Sequence, residues 1–249
     1  VKKQKLELAR SIVTRIEPTQ SVSLDTKFVL TEVQTSEASF IALFQQGRGF
    51  NTILFWVCFF MCLLMTYALG SWLPKLMMAA GYSLGSSLTF LLALNIGAVI
   101  GTIGGGILAD KFHLKPVIIS MLTVGGLALF GLGFNSPQPV IYMLVAIAGA
   151  ASIGTSILLY SYAAQYYPLA VRSTGIGWAS AVGRTGAIVG PIFIGFLLGI
   201  ELPHQWNFIA VAVPALIAAV AVAMIRRPKV TETIVIEQSL NSKMKQAKV

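Results

Sequence analysis

One cation stands out by its setting. Arg184 lies within a long apolar stretch, between Gly183 and Gly186. A cation at such depth costs roughly 2.5–3.5 kcal/mol on insertion scales, so it must face water, a partner or a ligand. A guanidinium also offers a planar fork that matches a carboxylate. Arg184 is therefore the candidate cation for an anionic ligand; the competing reading is an arginine bonded to helix carbonyls or to an acid elsewhere. Asn95, near the middle of another apolar stretch, could hydrogen-bond a ligand or bridge two helices. Tyr67, Trp72, Tyr160, Tyr162 and Trp178 offer stacking surfaces, although Tyr and Trp also serve as anchors at membrane interfaces. Tyr160 and Trp178 join the candidate ligand site. Trp178 precedes Arg184 by six residues, a net offset of roughly 240° on a helix, so the two do not share one face squarely.

Other chemistries lack their residues. Cys58 and Cys62 stand one helical turn apart in an apolar setting with no His or acid nearby, which reads as packing or lipid-facing thiols rather than a metal site. The two histidines, His113 and His204, fall on opposite sides of the bilayer in the topology below. No metal-ligand cluster, no nucleophile paired with a base and no phosphate loop supports an enzyme or a cofactor.

The elements that position these residues are membrane spans. The chain has 249 residues, 56% hydrophobic and only 11% charged, where soluble domains carry roughly a quarter charged residues. Six apolar stretches are long enough to cross a bilayer core of ~30 Å. They run over about 50–73, 86–108, 116–134, 140–163, 174–200 and 206–225. All must be helices, because a lone strand leaves its backbone unsatisfied in lipid. Residues 1–49 read as a polar linker with a short amphipathic helix near Leu6–Ile16, and 227–249 as a solvated tail. The chain starts at Val1 with Lys2, Lys3 and Lys5 and has no apolar signal core, which suggests a start inside a larger protein. The net charge of +9 concentrates in the linker, the second-to-third loop, Arg172 and the tail, against Lys75 alone on the other side. This asymmetry predicts both termini in the cytoplasm and argues against a nucleic-acid partner.

Two loops and two glycine series complete the pattern. Gly97, Gly101 and Gly105 recur at four-residue spacing in the second span, and Gly186 and Gly190, followed by Pro191, in the fifth. Small residues on one face let another helix approach closely, and Pro191 removes a helix hydrogen bond and bends the fifth span. After the second span comes Asp110-Lys111, then Lys115 before Pro116. Asp110 is the only acid between Glu37 and Glu201, which orientation charge does not explain. The stretch from Gly106 to Lys115 resembles the Gly-x-x-x-Asp-Arg-x-Gly-Arg-Arg loop of the major facilitator superfamily, with Lys111 and Lys115 at Arg positions, His113 in place of the loop Gly and Leu114 in place of the other Arg. The stretch Gln165 to Arg172, containing Pro168, resembles that superfamily's Glu-x-x-Pro-x-x-x-Arg loop, with Gln165 at the Glu position, so a hydrogen bond replaces an ion pair to Arg172. The continuation, Gly177-Trp178 and Gly183-Arg184-x-Gly186 through Pro191, together with Ser71-Trp72-Leu73-Pro74-Lys75, is similar to the aromatic acid:proton symporter family.

That resemblance implies the C-terminal half of a twelve-helix transporter, all-α, with residues 50–226 as its six-helix half. It implies proton-coupled uptake of an aromatic carboxylate, such as a benzoate or hydroxybenzoate, at a bacterial inner membrane, with Asp110, Lys111, Lys115, Gln165 and Arg172 as gating residues. The expected partners are lipid, the N-terminal half, the carboxylate and a proton. No acid lies within any span, so a proton carrier would have to sit in that other half. A carrier of another organic anion or a drug exporter shares most of this pattern, and a membrane scaffold or enzyme shares the spans alone.

Overall fold

The computed structural model describes residues 40–134, 136–200 and 203–226. The amphipathic helix near Leu6–Ile16, most of the linker and the tail lie outside the described residues. Six membrane-length helices follow a short 3-10 turn, Phe40–Leu43. They are α1 (Gly49–Ala79), α2 (Leu84–Phe112), α3 (Leu114–Gly131), α4 (Gln138–Tyr166), α5 (Arg172–Gly199) and α6 (His204–Met224). α4 contains one π turn, Ala150–Gly154.

Every helix starts one or two residues before its apolar stretch; α1, α2 and α4 also run past the end of theirs, whereas α3, α5 and α6 stop one to three residues short. α1 continues through Pro74 to Ala79. A proline inside a helix lacks the N–H that would bond four residues back, yet α1 is not broken there. α5 likewise runs unbroken through Pro191.

Packing follows the glycines. α1 lies along α5, α4 along α2, and α3 against α6. The first two pairs run parallel, since Gly183, Gly186 and Gly190 of α5 meet Phe59, Phe60 and Leu64 of α1 in order, and Gly97 and Gly101 of α2 meet Ala146 and Ala150 of α4. The first three helices and the last three thus exchange partners in the manner of an internal repeat. Cys58 and Cys62 are free and fully packed in the core, the Cys58 thiol donating to the Ala218 carbonyl at 3.7 Å.

α2 and α5 are the least buried helices, with 22% and 28% of their apolar windows buried against 44–56% for the other four. Their outward faces carry Leu92, Ile96, Val99 and Ile103 on α2 and Ile188, Ile192 and Phe196 on α5.

Candidate functional site

Arg184 stands near the middle of the 28-residue α5. Its neighbours Gly183 and Gly186 face inward against Phe59 and Phe60, which turns Arg184 outward. It is exposed and has no hydrogen bond or ion pair among the described residues. The reading of a guanidinium tied to its own bundle's carbonyls therefore finds no support here.

One helical turn before Arg184 sits Ser180, a residue the sequence reading missed. Its hydroxyl lies 3.1 Å from the Tyr160 hydroxyl of α4, across the gap between the two helices. The Tyr160 ring meets Phe59 of α1 edge-on at 4.8 Å. The i, i+4 spacing of Ser180 and Arg184 places both on adjoining surface of α5, so Arg184, Ser180 and Tyr160 form one neighbourhood of a cation and two hydroxyls, with the Tyr160 ring backed by the buried Phe59. The spacing was visible in the sequence, but nothing there indicated that α4 would bring Tyr160 to it.

Trp178 goes elsewhere. Its ring packs on Phe40 at 4.7 Å and on Trp56 at 6.2 Å, while Phe44 meets Trp56 edge-on at 5.8 Å. This cluster holds the 3-10 turn against the bundle, so the ring of Trp178, expected at the ligand site, packs on Phe40 and Trp56 instead. Asn95 is also apart. It is exposed on α2, and its amide donates to the Leu91 carbonyl of its own helix at 2.8 Å. From the Gly101–Ala150 crossing, Asn95 lies six residues one way and Tyr160 ten the other, a separation on the order of 20 Å along the bundle.

The loop residues gather at one end of the molecule. Arg172 Nε donates to the Tyr167 carbonyl at 3.2 Å, while Gln165 is exposed and makes no bond to Arg172. The Tyr167 hydroxyl donates to Thr52 at 3.1 Å, and Thr52 donates to the Leu43 carbonyl at 3.1 Å. Burial pushes the Tyr167 hydroxyl above the ordinary tyrosine value, with the Thr52 bond pulling the other way. Asn51 donates to the Tyr166 hydroxyl at 2.7 Å and to the Arg226 carbonyl at 3.0 Å. These bonds tie the start of α1 and the ends of α4 and α6 into a buried polar knot. Buried Arg48 adds a bond to the Ala42 carbonyl at 2.8 Å and one to the Gln46 side chain.

The α2–α3 connection is built differently. Lys115 Nζ donates to the Ala223 and Ile225 carbonyls at 2.8 and 2.7 Å, closing the end of α6. Asp110 and Lys111 are exposed, and Asp110 has no partner among the described residues. His113 takes φ 71 and ψ 150, a conformation that suits glycine and strains any other residue.

Comparison with known proteins agrees with this architecture. The family model described as Major Facilitator Superfamily matches residues 55–246. The chain is similar to the benzoate transport protein of Acinetobacter baylyi, 46% identical over 90% of this chain and 49% of that protein. It is 39% identical to the gentisate transporter of Corynebacterium glutamicum, over 82% of this chain and 46% of the relative. It is 35% identical to the 3-(3-hydroxy-phenyl)propionate transporter of Escherichia coli, over 76% and 47%. The chain thus spans about half the length of the curated relatives it matches.

Proposed function

Because the chain belongs to the major facilitator superfamily, a family of membrane transporters rather than enzymes, we propose that it is the C-terminal half of a proton-coupled importer of aromatic carboxylates. The observation that carries this reading is the mid-span guanidinium of Arg184, exposed and without a partner among the described residues. An uncompensated cation at that depth is costly. A carboxylate bound from a cavity shared with a second half would offset the cost. The adjoining Tyr160–Ser180 hydroxyl pair and the exposed part of the Tyr160 ring suit an aromatic ring bearing polar substituents. The names of the relatives point to the same substrate class.

In this reading the outward faces of α2 and α5 meet the N-terminal half, the basic end of the bundle faces the cytoplasm, and the proton is carried by an acid outside this chain. Arg184 fixes the carboxylate, while the loops at the basic end bias which side of the membrane the cavity opens to.

The test is uptake of labelled benzoate and hydroxybenzoates by the full-length protein in vesicles with an imposed proton gradient. Accumulation should saturate, collapse with a protonophore, and be absent for the corresponding neutral amides. Uptake that is indifferent to the carboxylate would overturn the substrate class, and uptake indifferent to the gradient would overturn the coupling. The 249-residue chain alone should give no saturable uptake; if it does, the half-transporter reading fails.

A further inference from the structure

An open cavity of about 510 Å³ lies at the basic end, lined by Phe50, Lys115, Ala223, Met224, Ile225 and Arg226. Two of these six residues are cations and none is an acid. The last carbonyls of a helix have no helical partner and carry the negative end of its dipole. Lys115 satisfies two of them, on Ala223 and Ile225. An ammonium has three donors, so one N–H is left for a ligand, and the end of α6 no longer repels an anion. Arg226 is fixed by its backbone: its N–H donates to Asn51 Oδ1 at 3.2 Å and its carbonyl accepts from Asn51 Nδ2 at 3.0 Å. Its guanidinium has no partner among the described residues.

The rest of the lining is apolar. Phe50 and Met224 are 54% and 48% exposed at the start of α1 and the end of α6. The end of a membrane-length helix stands at headgroup depth, so this pairing of two cations with an apolar wall matches a phosphodiester whose acyl chains run down the bundle. We propose that the cavity holds the headgroup of an anionic phospholipid, bridged by Lys115 and Arg226. A free phosphate shares the charge but has no use for Phe50 and Met224.

The test is lipid retention by the full-length protein, read by native mass spectrometry after exchange into mixed phosphatidylglycerol and phosphatidylcholine. Wild type should retain phosphatidylglycerol preferentially. Each of Lys115→Gln and Arg226→Gln should weaken that retention about fivefold and leave phosphatidylcholine unchanged. Arg226→Lys should keep most of it. Lys115→Gln also uncaps α6 and can loosen the fold; Arg226→Gln keeps both backbone bonds to Asn51, so it carries the decision, with helix content checked by circular dichroism. Unchanged phosphatidylglycerol retention in folded Arg226→Gln would overturn the site. Displacement of the lipid by millimolar inorganic phosphate would overturn the lipid in favour of a free anion. Failure of the transport reading would leave this result untouched, since retention is measured without substrate.

Discussion

α5 and α2 are counterparts in the two three-helix units, each laying a glycine series on a parallel neighbour, yet they are finished differently. α5 carries a cation at mid-span, and the residues before it are held firmly: Arg172 on the Tyr167 carbonyl, Tyr167 on Thr52, Thr52 on Leu43. α2 carries no charge at mid-span, only Asn95 bonded to its own helix. At the same end of the molecule it finishes in exposed Asp110 and strained His113. The packing device is shared, so it does not distinguish a binding helix from a moving one. What distinguishes them is which helix has a charge to offer and which end is tied. In the proposed reading α5 is the wall that holds the ligand and α2 the element whose end shifts.

The sharpest way to break this contrast is to exchange the weight of Arg184 and Asn95. Arg184→Ala in the full-length protein should lower affinity for an aromatic carboxylate by about 100-fold, or about 3 kcal/mol, the scale for truncating one partner of a charged pair. Arg184→Lys keeps the charge but loses the fork, and should still cost about tenfold. Asn95→Ala should cost less than about threefold, because its amide already serves the Leu91 carbonyl. Calorimetry on purified, folded variants decides. Comparable losses at Arg184 and Asn95 would mean that the two helices share the ligand.

The shared device can be tested next, with effects on stability. A Cβ at Gly97 would overlap the Ala146 carbonyl, and one at Gly186 would overlap the Phe60 carbonyl. Backbone yields poorly, so Gly97→Ala and Gly186→Ala should each destabilise by about 1–3 kcal/mol. Gly104, on α2 with open space beside it, is the control: Gly104→Ala should stabilise by about 0.4–1 kcal/mol. Thermal unfolding in detergent reads all three. A seam that accepts alanine at Gly97 but not at Gly186 would show that the two pairs are not packed alike.

The six helices were legible because each is a long apolar run bounded by charged or by polar, Gly- and Pro-containing segments, a signal that lies in consecutive residues. Their ends were less so. The apolar stretch ended near Leu73, whereas α1 continues through Pro74 to Ala79. The glycine series could be read from spacing, but their partners could not, because Ala146 or Phe60 on a facing helix has no mark in its own sequence. The same holds for the cluster of Phe40, Phe44, Trp56 and Trp178 and for Asn51 reaching Tyr166 and Arg226, contacts that join distant parts of the chain. Arg184 was visible because a charge in an apolar run is locally anomalous. Ser180 was not, since a hydroxyl in a helix is ordinary until Tyr160 arrives.

The untied end of α2 offers a smaller effect of opposite sign. His113 occupies a conformation that costs a non-glycine residue on the order of 1–3 kcal/mol. His113→Gly should therefore stabilise the protein by about 1 kcal/mol, part of the relief being lost to the freer unfolded chain. The same substitution placed in a relaxed loop would destabilise. No gain in thermal stability would show that the strain at the end of α2 is relieved in the full-length protein, and the contrast with α5 would weaken.

The finest test is Asp110→Asn, which removes one charge and almost no volume. Asp110 lies fifteen residues along α2 from Asn95, roughly 22 Å, and on a different helix from Arg184. It has no partner among the described residues and is exposed, so its loss should neither unfold the bundle nor change carboxylate affinity. If it acts, it acts by meeting a group outside this chain in one of the two open states and not in the other. An exposed charge contact contributes about 0.2–1 kcal/mol. That much bias between two states shifts their ratio by at most about fivefold, and the transport rate should fall by a factor within that range. Binding and transport must therefore be measured separately on the same preparation. A fall in transport with unchanged binding places Asp110 in the state equilibrium, as the loose end of α2 requires. Equal falls in both, with normal membrane insertion, would place it in the ligand site or in folding and remove the distinction between the helix that holds and the helix that moves.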